Sequence, residues 1–517
     1  MADNLLSLII FTPLVGAITI ALLADESIVW SVSFLFSLLP LALGFYLLAV
    51  FNPDNNGFQF TEHYSWIPQF GISYHVGVDG ISAFLVAVVA LLVSVALLYA
   101  GCGDIRRRAR EFCFFVLTLE TGMLGTLLAI DLFLFYVFWE LVLIPAYFII
   151  GIWGSERRVY AAFKFVLYTL LGSLLMLVGI IYLGLAARKQ LGAITFDLPT
   201  LYQLTFSKSE ARWLFAAFAL GFGVKIPIWP FHSWLPDAYS EAPASGSMLL
   251  AGAMFQMGVY AFLRFAIPLF PTVAQQATPL FVALAVIGIL YGGLLALAQS
   301  DLKRLLSYAS ISHAGFMVLG LFALNRYGVD GTVYQLITHG FATSALFALT
   351  GLIRLKYGTQ NLLELGGLWR LAPLMAATFM VAMLSSVGLP GLDGFVGEFL
   401  VLIGAYLKLW QAAAVGALGL ILSAVYMLRA YERAMFGAAP ESYKRRALDL
   451  NRKELAPMVP LVALILVLGI FPTPVLRRVE PSLVALLAHV YSAPAQLDSL
   501  PHENPKRSSP SGVAARE

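Results

Sequence analysis

The chain has 517 residues, 60% of them hydrophobic and only 12% charged, with a formal net charge of +3. A soluble domain carries about 25% charged residues, so the composition marks a polytopic membrane protein. The small net charge speaks against nucleic acid, and two cysteines (Cys102 and Cys113) speak against a disulfide framework, an iron–sulfur cluster or a structural zinc site.

A bilayer core of about 30 Å needs roughly 20 apolar residues per helix. Such runs predict an all-α protein of fourteen spans, at about 5–23, 28–50, 80–101, 112–130, 132–152, 162–187, 212–238, 245–267, 278–298, 305–324, 332–356, 371–407, 411–432 and 456–475. The start at Met1 lacks a basic n-region and a small-residue cleavage site, so the first run is read as a retained span. The Gly-, Asn- and aromatic-rich stretch from Asn52 to Val78 is expected to fold over the outer face. Asp131 alone separates the fourth and fifth runs. Glu480–His489 is expected to form a short amphipathic helix, and Pro501–Glu517 reads as disordered.

Loops after odd-numbered spans are rich in Lys and Arg, among them Arg106, Arg157, Lys303, Arg354 and Lys444–Arg446. Loops after even-numbered spans hold few, including Arg188, Arg264 and Arg326. The positive-inside bias then puts the odd loops in the cytoplasm and both termini outside.

Two spans contain prolines that no uninterrupted helix accepts. The seventh runs through Val224-Lys225-Ile226-Pro227 into Pro230 and Pro236, and the twelfth through Gly388-Leu389-Pro390-Gly391. In lipid, a broken helix is tolerated where it is buried in protein or lines a wet cavity. Breaks five spans apart suggest two five-helix units, spans 4–8 and 9–13, of opposite topology, a pattern that points to a midplane ion path. The expected division is 1–110 for the first three helices, 111–270 and 271–435 for the two repeats, 436–480 for a loop and last helix, and 481–517 for a tail.

Ionisable residues inside a membrane are functional candidates. Glu140 lies near the middle of the fifth span and Lys225 at the first break, so the two form a candidate proton-switching pair. Their bland readings are an interhelical hydrogen bond and a cap on freed carbonyls. Glu398 follows the second break as a second-half acid, while Asp393 reads as an N-cap. Thr332, Gln335, His339 and Thr343 share one face of the eleventh span, and Ser307, Ser310 and His313 one face of the tenth. The histidines titrate near neutral pH and can shuttle protons. Lys164, with Tyr168 one turn on, opens the sixth span, where snorkelling is the alternative. His63, His75 and His232 fall in expected loops with no metal-like spacing. Trp153, Trp229 and Trp234 read as interface anchors.

The stretches Phe138–Leu141, Val224–Pro227 with Phe231–Ala238, Gln299–His313, and Gly388–Gly391 with Phe395–Phe399 resemble the antiporter-like subunits of respiratory complex I. The likeness extends to about residue 475, and Ile152–Arg158 with Glu398 fits the branch called chain M. The resemblance implies proton translocation driven by NADH-to-quinone electron transfer in partner subunits. It implies sister membrane-arm subunits and lipid as partners, a bacterial inner membrane, and no cofactor, metal or redox centre in this chain. It assigns Glu140, Lys225, His313, His339 and Glu398 to the proton path, and puts a lysine where this chain has Gln256. Gln256 cannot titrate, so protons would pass there by water held at Gln256 and Tyr260, or through His313. A multi-subunit Na⁺/H⁺ antiporter shares most of these motifs. A membrane-bound hydrogenase arm and a scaffold subunit are further alternatives.

Overall fold

The computed structural model describes residues 4–23, 25–440, 443 and 449–492. Lys444–Arg446 and the tail from Pro501 lie outside them. The chain opens with α1 (Leu5–Leu22) and α2 (Val29–Val50), then the antiparallel hairpin β1 (Gln59–Ile67) and β2 (Ile72–Val78). Next come α3 (Gly80–Tyr99), α4 (Ala109–Leu128), α5 (Leu132–Leu141), α6 (Leu143–Trp153), α7 (Arg158–Leu191) and a short α8 (Leu198–Leu201). The first broken segment is α9 (Lys208–Lys225) followed by α10 (Trp234–Glu241). One long helix is then divided by π-turns into α11 (Ala244–Met248), α12 (Gln256–Ala261) and α13 (Ile267–Leu269). It leads to α14 (Pro271–Leu297), α15 (Leu302–Ala323), α16 (Arg326–Tyr357) and α17 (Leu368–Leu371). The second broken segment is α18 (Pro373–Ser386) and α19 (Asp393–Lys408), before α20 (Trp410–Met435), α21 (Arg452–Leu455), α22 (Met458–Ile470) and α23 (Thr473–Ser492).

Among the described residues twelve helices are long and apolar enough to cross a membrane. They coincide with twelve of the expected runs. The seventh and twelfth runs are not single spans but pairs of half-helices, because proline removes an N–H and clashes with the preceding turn. Gly388 and Gly391 adopt φ of +77° and +94° in the second break, a region glycine enters without a Cβ penalty.

Burial separates centre from rim. The most apolar window of Ala244–Leu269 is 100% buried and those of α15 and α16 are 94% buried, against 28% for Glu26–Val50. Most polar groups of α11–α13, α15 and α16 therefore face protein, whereas α2 presents most of its surface outward.

Two expectations at the ends of the spans are corrected. Asn52–Val78 is largely a hairpin rather than a loop, its register set by pairs such as His63 with His75 and Tyr64 with Tyr74. The hairpin explains how Asp131 can divide two spans. The Asp131 carboxylate accepts from Phe133 N (2.9 Å) and Leu134 N (3.0 Å), capping α5, and also from Ser73 N (3.0 Å) and Ser73 Oγ (2.9 Å) on β2. The amphipathic segment around Glu480 is a helix of 20 residues rather than a short one. Its Ser482 Oγ accepts from Gly80 N at the start of α3 (3.0 Å), and Tyr491 donates to Leu324 O at the end of α15 (2.7 Å).

Candidate functional site

The fifth span is interrupted after Leu141, where Pro145 has no N–H for the Leu141 carbonyl. Glu140 therefore sits in the last turn of α5, and its Oε1 is buried without a hydrogen-bond partner. Lys225, the last residue of α9, is 2% exposed. Its Nζ stands 5.0 Å from the centroid of the Trp139 ring. Among the described ion pairs none joins it to Glu140 within 4.0 Å.

The freed carbonyl at the first break is taken by another residue. Trp234 Nε1 donates to Val224 O (2.9 Å), and Trp234 is fully buried. Its expected place at the interface is thus corrected: the indole closes the break. His232 is also buried rather than in an open loop, with its ring edge-on to Tyr291 at 5.1 Å. Lys164 pairs with Asp237 of α10 (2.8 Å), and Ser233 donates to the Tyr168 hydroxyl (2.8 Å). One face of α7 thus holds the outgoing side of the break.

The central histidines come together from α15 and α16. The His313 and His339 rings lie edge to face with centroids 5.1 Å apart, and Thr343 Oγ1 is 3.2 Å from His339 Nδ1. Gln256 approaches from α12. Its Nε2 donates to Gly252 O (2.6 Å), its Oε1 has no partner, and a Cβ at Gly340 would lie 3.0 Å from Nε2. Close approach of α12 to the His339 helix therefore depends on that glycine.

The second break faces the same centre. A cavity of about 10 Å³ is lined by His313, Gln335, Thr338, His339, Ser385, Ser386 and Glu398, among others. Gln335 Oε1 and Glu398 Oε2 are buried there without partners, and the His313 ring lies against the Ser386 backbone with no well-aligned bond to either nitrogen. A void of this size holds about one water, which needs two to four polar partners, and these atoms supply them. Asp393 is the first residue of α19, not its N-cap; its Oδ1 accepts from Ser385 Oγ (2.5 Å). A Cβ at Gly388 would lie 2.1 Å from Glu398 Oε2, so the glycine makes room for the acid.

The structure also holds charges that sequence reasoning missed or misplaced. Glu120 is fully buried in α4 with neither oxygen hydrogen-bonded. The signal was present, a lone acid inside an apolar run. Arg264, counted as a loop charge, is buried and paired with Asp79 (2.6 Å). Lys303, also counted as a loop charge, is 3% exposed and donates to Ala242 O.

A bundle of apolar helices with two spans split into half-helices and titratable groups between them defines a membrane ion-conducting class. The family described as NADH:quinone oxidoreductase/Mrp antiporter, TM, matches residues 129–425. NADH-quinone oxidoreductase subunit M of Rhodobacter capsulatus is 40% identical over 510 residues, covering 95% of this chain and 98% of that protein. The Mycobacterium tuberculosis protein of the same name is 36% identical, covering 92% of this chain and 93% of that protein. A chain of respiratory complex I from Thermus thermophilus superposes with TM-score 0.86 at 34% identity, over 95% of this chain and 100% of that one. The chain belongs to the NADH:quinone oxidoreductase/Mrp antiporter membrane family.

Proposed function

We propose that the chain is the chain M subunit of a proton-translocating NADH–quinone oxidoreductase, carrying protons across the membrane while partner subunits transfer electrons from NADH to quinone. The observation that supports this best is the water-sized polar cavity joining His313, His339 and Glu398 beside the second helix break. In this reading protons enter from the cytoplasm by Glu140 and Lys225, with Lys164 holding the break in shape. They cross at His313 and His339, pass water beside Gln256, and leave near Glu398.

The chain contributes to the enzyme as a translocating subunit and holds no cofactor, metal or redox centre of its own. Its partners are sister antiporter-like subunits and lipid, in a bacterial inner membrane with both termini outside. The two half-helix pairs belong to two inverted five-helix units, at 111–270 and 271–435, and added to the twelve membrane-long helices they make fourteen crossings. The test is NADH-driven proton uptake by vesicles containing the assembled complex. Lys225→Ala is expected to abolish most of it, and full pumping by that variant would sink the switch.

A second reading, a cation antiporter subunit, draws on the same family. A chain of the Mrp complex from Dietzia superposes with TM-score 0.81, although at 22% identity the likeness is one of fold. Cation antiport in membranes lacking every electron-transfer subunit would favour it.

A further inference from the structure

A second polar line leaves the central histidines in a different direction from Glu398. Gln256, Tyr260 and Arg264 recur every four residues along α12 and the π-turn after it, and are 1%, 2% and 6% exposed. Residues four apart stack on one helix face. The line begins where Gln256 abuts Gly340, the neighbour of His339. Tyr260 donates its hydroxyl proton to Leu127 O (2.8 Å) and accepts from Arg264 Nε (3.1 Å). Arg264 Nη2 meets Asp79 Oδ1 (2.6 Å), and Asp79 also caps α3 through Ile81 N and Ser82 N (both 3.1 Å). Beyond the ion pair opens a cavity of about 220 Å³, lined by Asp79, Arg264, Tyr202, Phe58, Ser482 and His489 among others. This end of α3 adjoins the hairpin, on the face expected to be outside.

Fold stability alone gives no reason for such a line. Burying a charge pair is often no better than burying apolar groups of the same volume. Along a helix packed on every side, a glutamine with a free Oε1 is a cost unless water reaches it. We propose that this line is a second passage between the central histidines and the outer cavity, and that the Asp79–Arg264 ion pair is its gate. With the pair closed, the fixed guanidinium bars cations. With it parted, water from the cavity reaches Tyr260 and Gln256. A proton leaving His339 is then handed to water at Gln256 and onward to the cavity, and every side chain ends in its starting protonation state. The passage rests on the proton-carrying reading and adds an exit within the first half.

The test uses the complete complex in liposomes, reading protons moved per NADH oxidised and passive proton leak under an imposed gradient. Arg264→Gln and Asp79→Asn are expected to raise the leak and lower the ratio. Tyr260→Phe keeps the ring and is expected to lower the ratio without a leak. Unchanged ratio and leak in an assembled Tyr260→Phe complex overturn the passage, and this variant decides the matter if the ion-pair variants fail to assemble. A wild-type complex that moves no protons defeats the proton-carrying reading instead. Loss of pumping in Lys225→Ala beside wild-type behaviour in Tyr260→Phe defeats the passage alone.

Discussion

Trp234 Nε1 donates to Val224 O, the carbonyl immediately before Lys225. A helix break must account for every freed backbone group, and an indole ten residues on does so here. Lys225 is therefore not the cap, and its ammonium lies instead over the ring of Trp139, the residue before Glu140 in the chain. Trp234→Phe keeps the ring and removes the donor, leaving a buried carbonyl unpaired. The cost is expected at about 1–3 kcal/mol. Thermal unfolding of the purified complex should show this subunit destabilised, whereas Lys225→Ala should leave its melting nearly unchanged. Equal destabilisation by both would return the capping role to the lysine.

Gly388 makes a sharper demand. Its φ is +77°, and a Cβ would lie 2.1 Å from the Glu398 carboxylate. Gly388→Ala combines backbone strain of about 1–3 kcal/mol with displacement of the acid. Proton pumping is expected to fall even where the variant assembles in normal amount. Glu398→Gln, which keeps the shape, should reduce pumping with no loss of assembly. Normal pumping in an assembled Gly388→Ala complex would separate the cavity from function.

Lys164 and Asp237 form a part-buried ion pair, their side chains 19% and 14% exposed. Removing one partner from a buried pair costs up to about 3–5 kcal/mol because the other charge stays behind. At this exposure a smaller loss is expected. Lys164→Ala should loosen α10, seen as faster backbone hydrogen exchange over 234–241. The double variant Lys164→Ala/Asp237→Ala should recover part of the protection. A double variant no better than the single would deny the pairing.

The apolar runs made twelve membrane helices legible, since length and hydropathy alone define them. The prolines located both breaks for the same reason that they cause them. Glu140, Lys225, His313, His339 and Glu398 stood out as ionisable groups in apolar surroundings. What the sequence could not convey was pairing across long separations. Arg264 looked like a loop charge because its partner Asp79 lies 185 positions away. Trp234 looked like an interface anchor because the carbonyl it serves becomes free only once α9 ends. The π-turns flanking Gln256 have no residue signature, since they arise from how the helix packs.

Glu120 obeys the same criterion as Glu140 and still lacks any partner for either oxygen. A buried polar group left unsatisfied costs about 1–3 kcal/mol. Glu120→Leu is therefore expected to raise the melting temperature of the complex. A lower melting temperature would reveal a bound water or cation that satisfies the acid.

Outside the spans, His75 Nδ1 meets Asp197 Oδ1 at 2.7 Å, and the His63 ring stacks on His75 with centroids 4.5 Å apart. Burial raises the Asp197 carboxyl, but hydrogen bonds from His75 and Thr200 outweigh it and hold it below the usual carboxylate range. A carboxyl lowered in the folded state contributes stability above its unfolded value of about 3.9, and loses it as pH falls through the lowered folded value. Hydrogen exchange over 72–78 should therefore stay slow from neutral pH down to the acid range and quicken only there. His75→Phe removes the bond, so exchange should be faster at neutral pH and the acid transition should move upward. A wild-type profile in His75→Phe would show that the Asp131 contacts alone secure the hairpin.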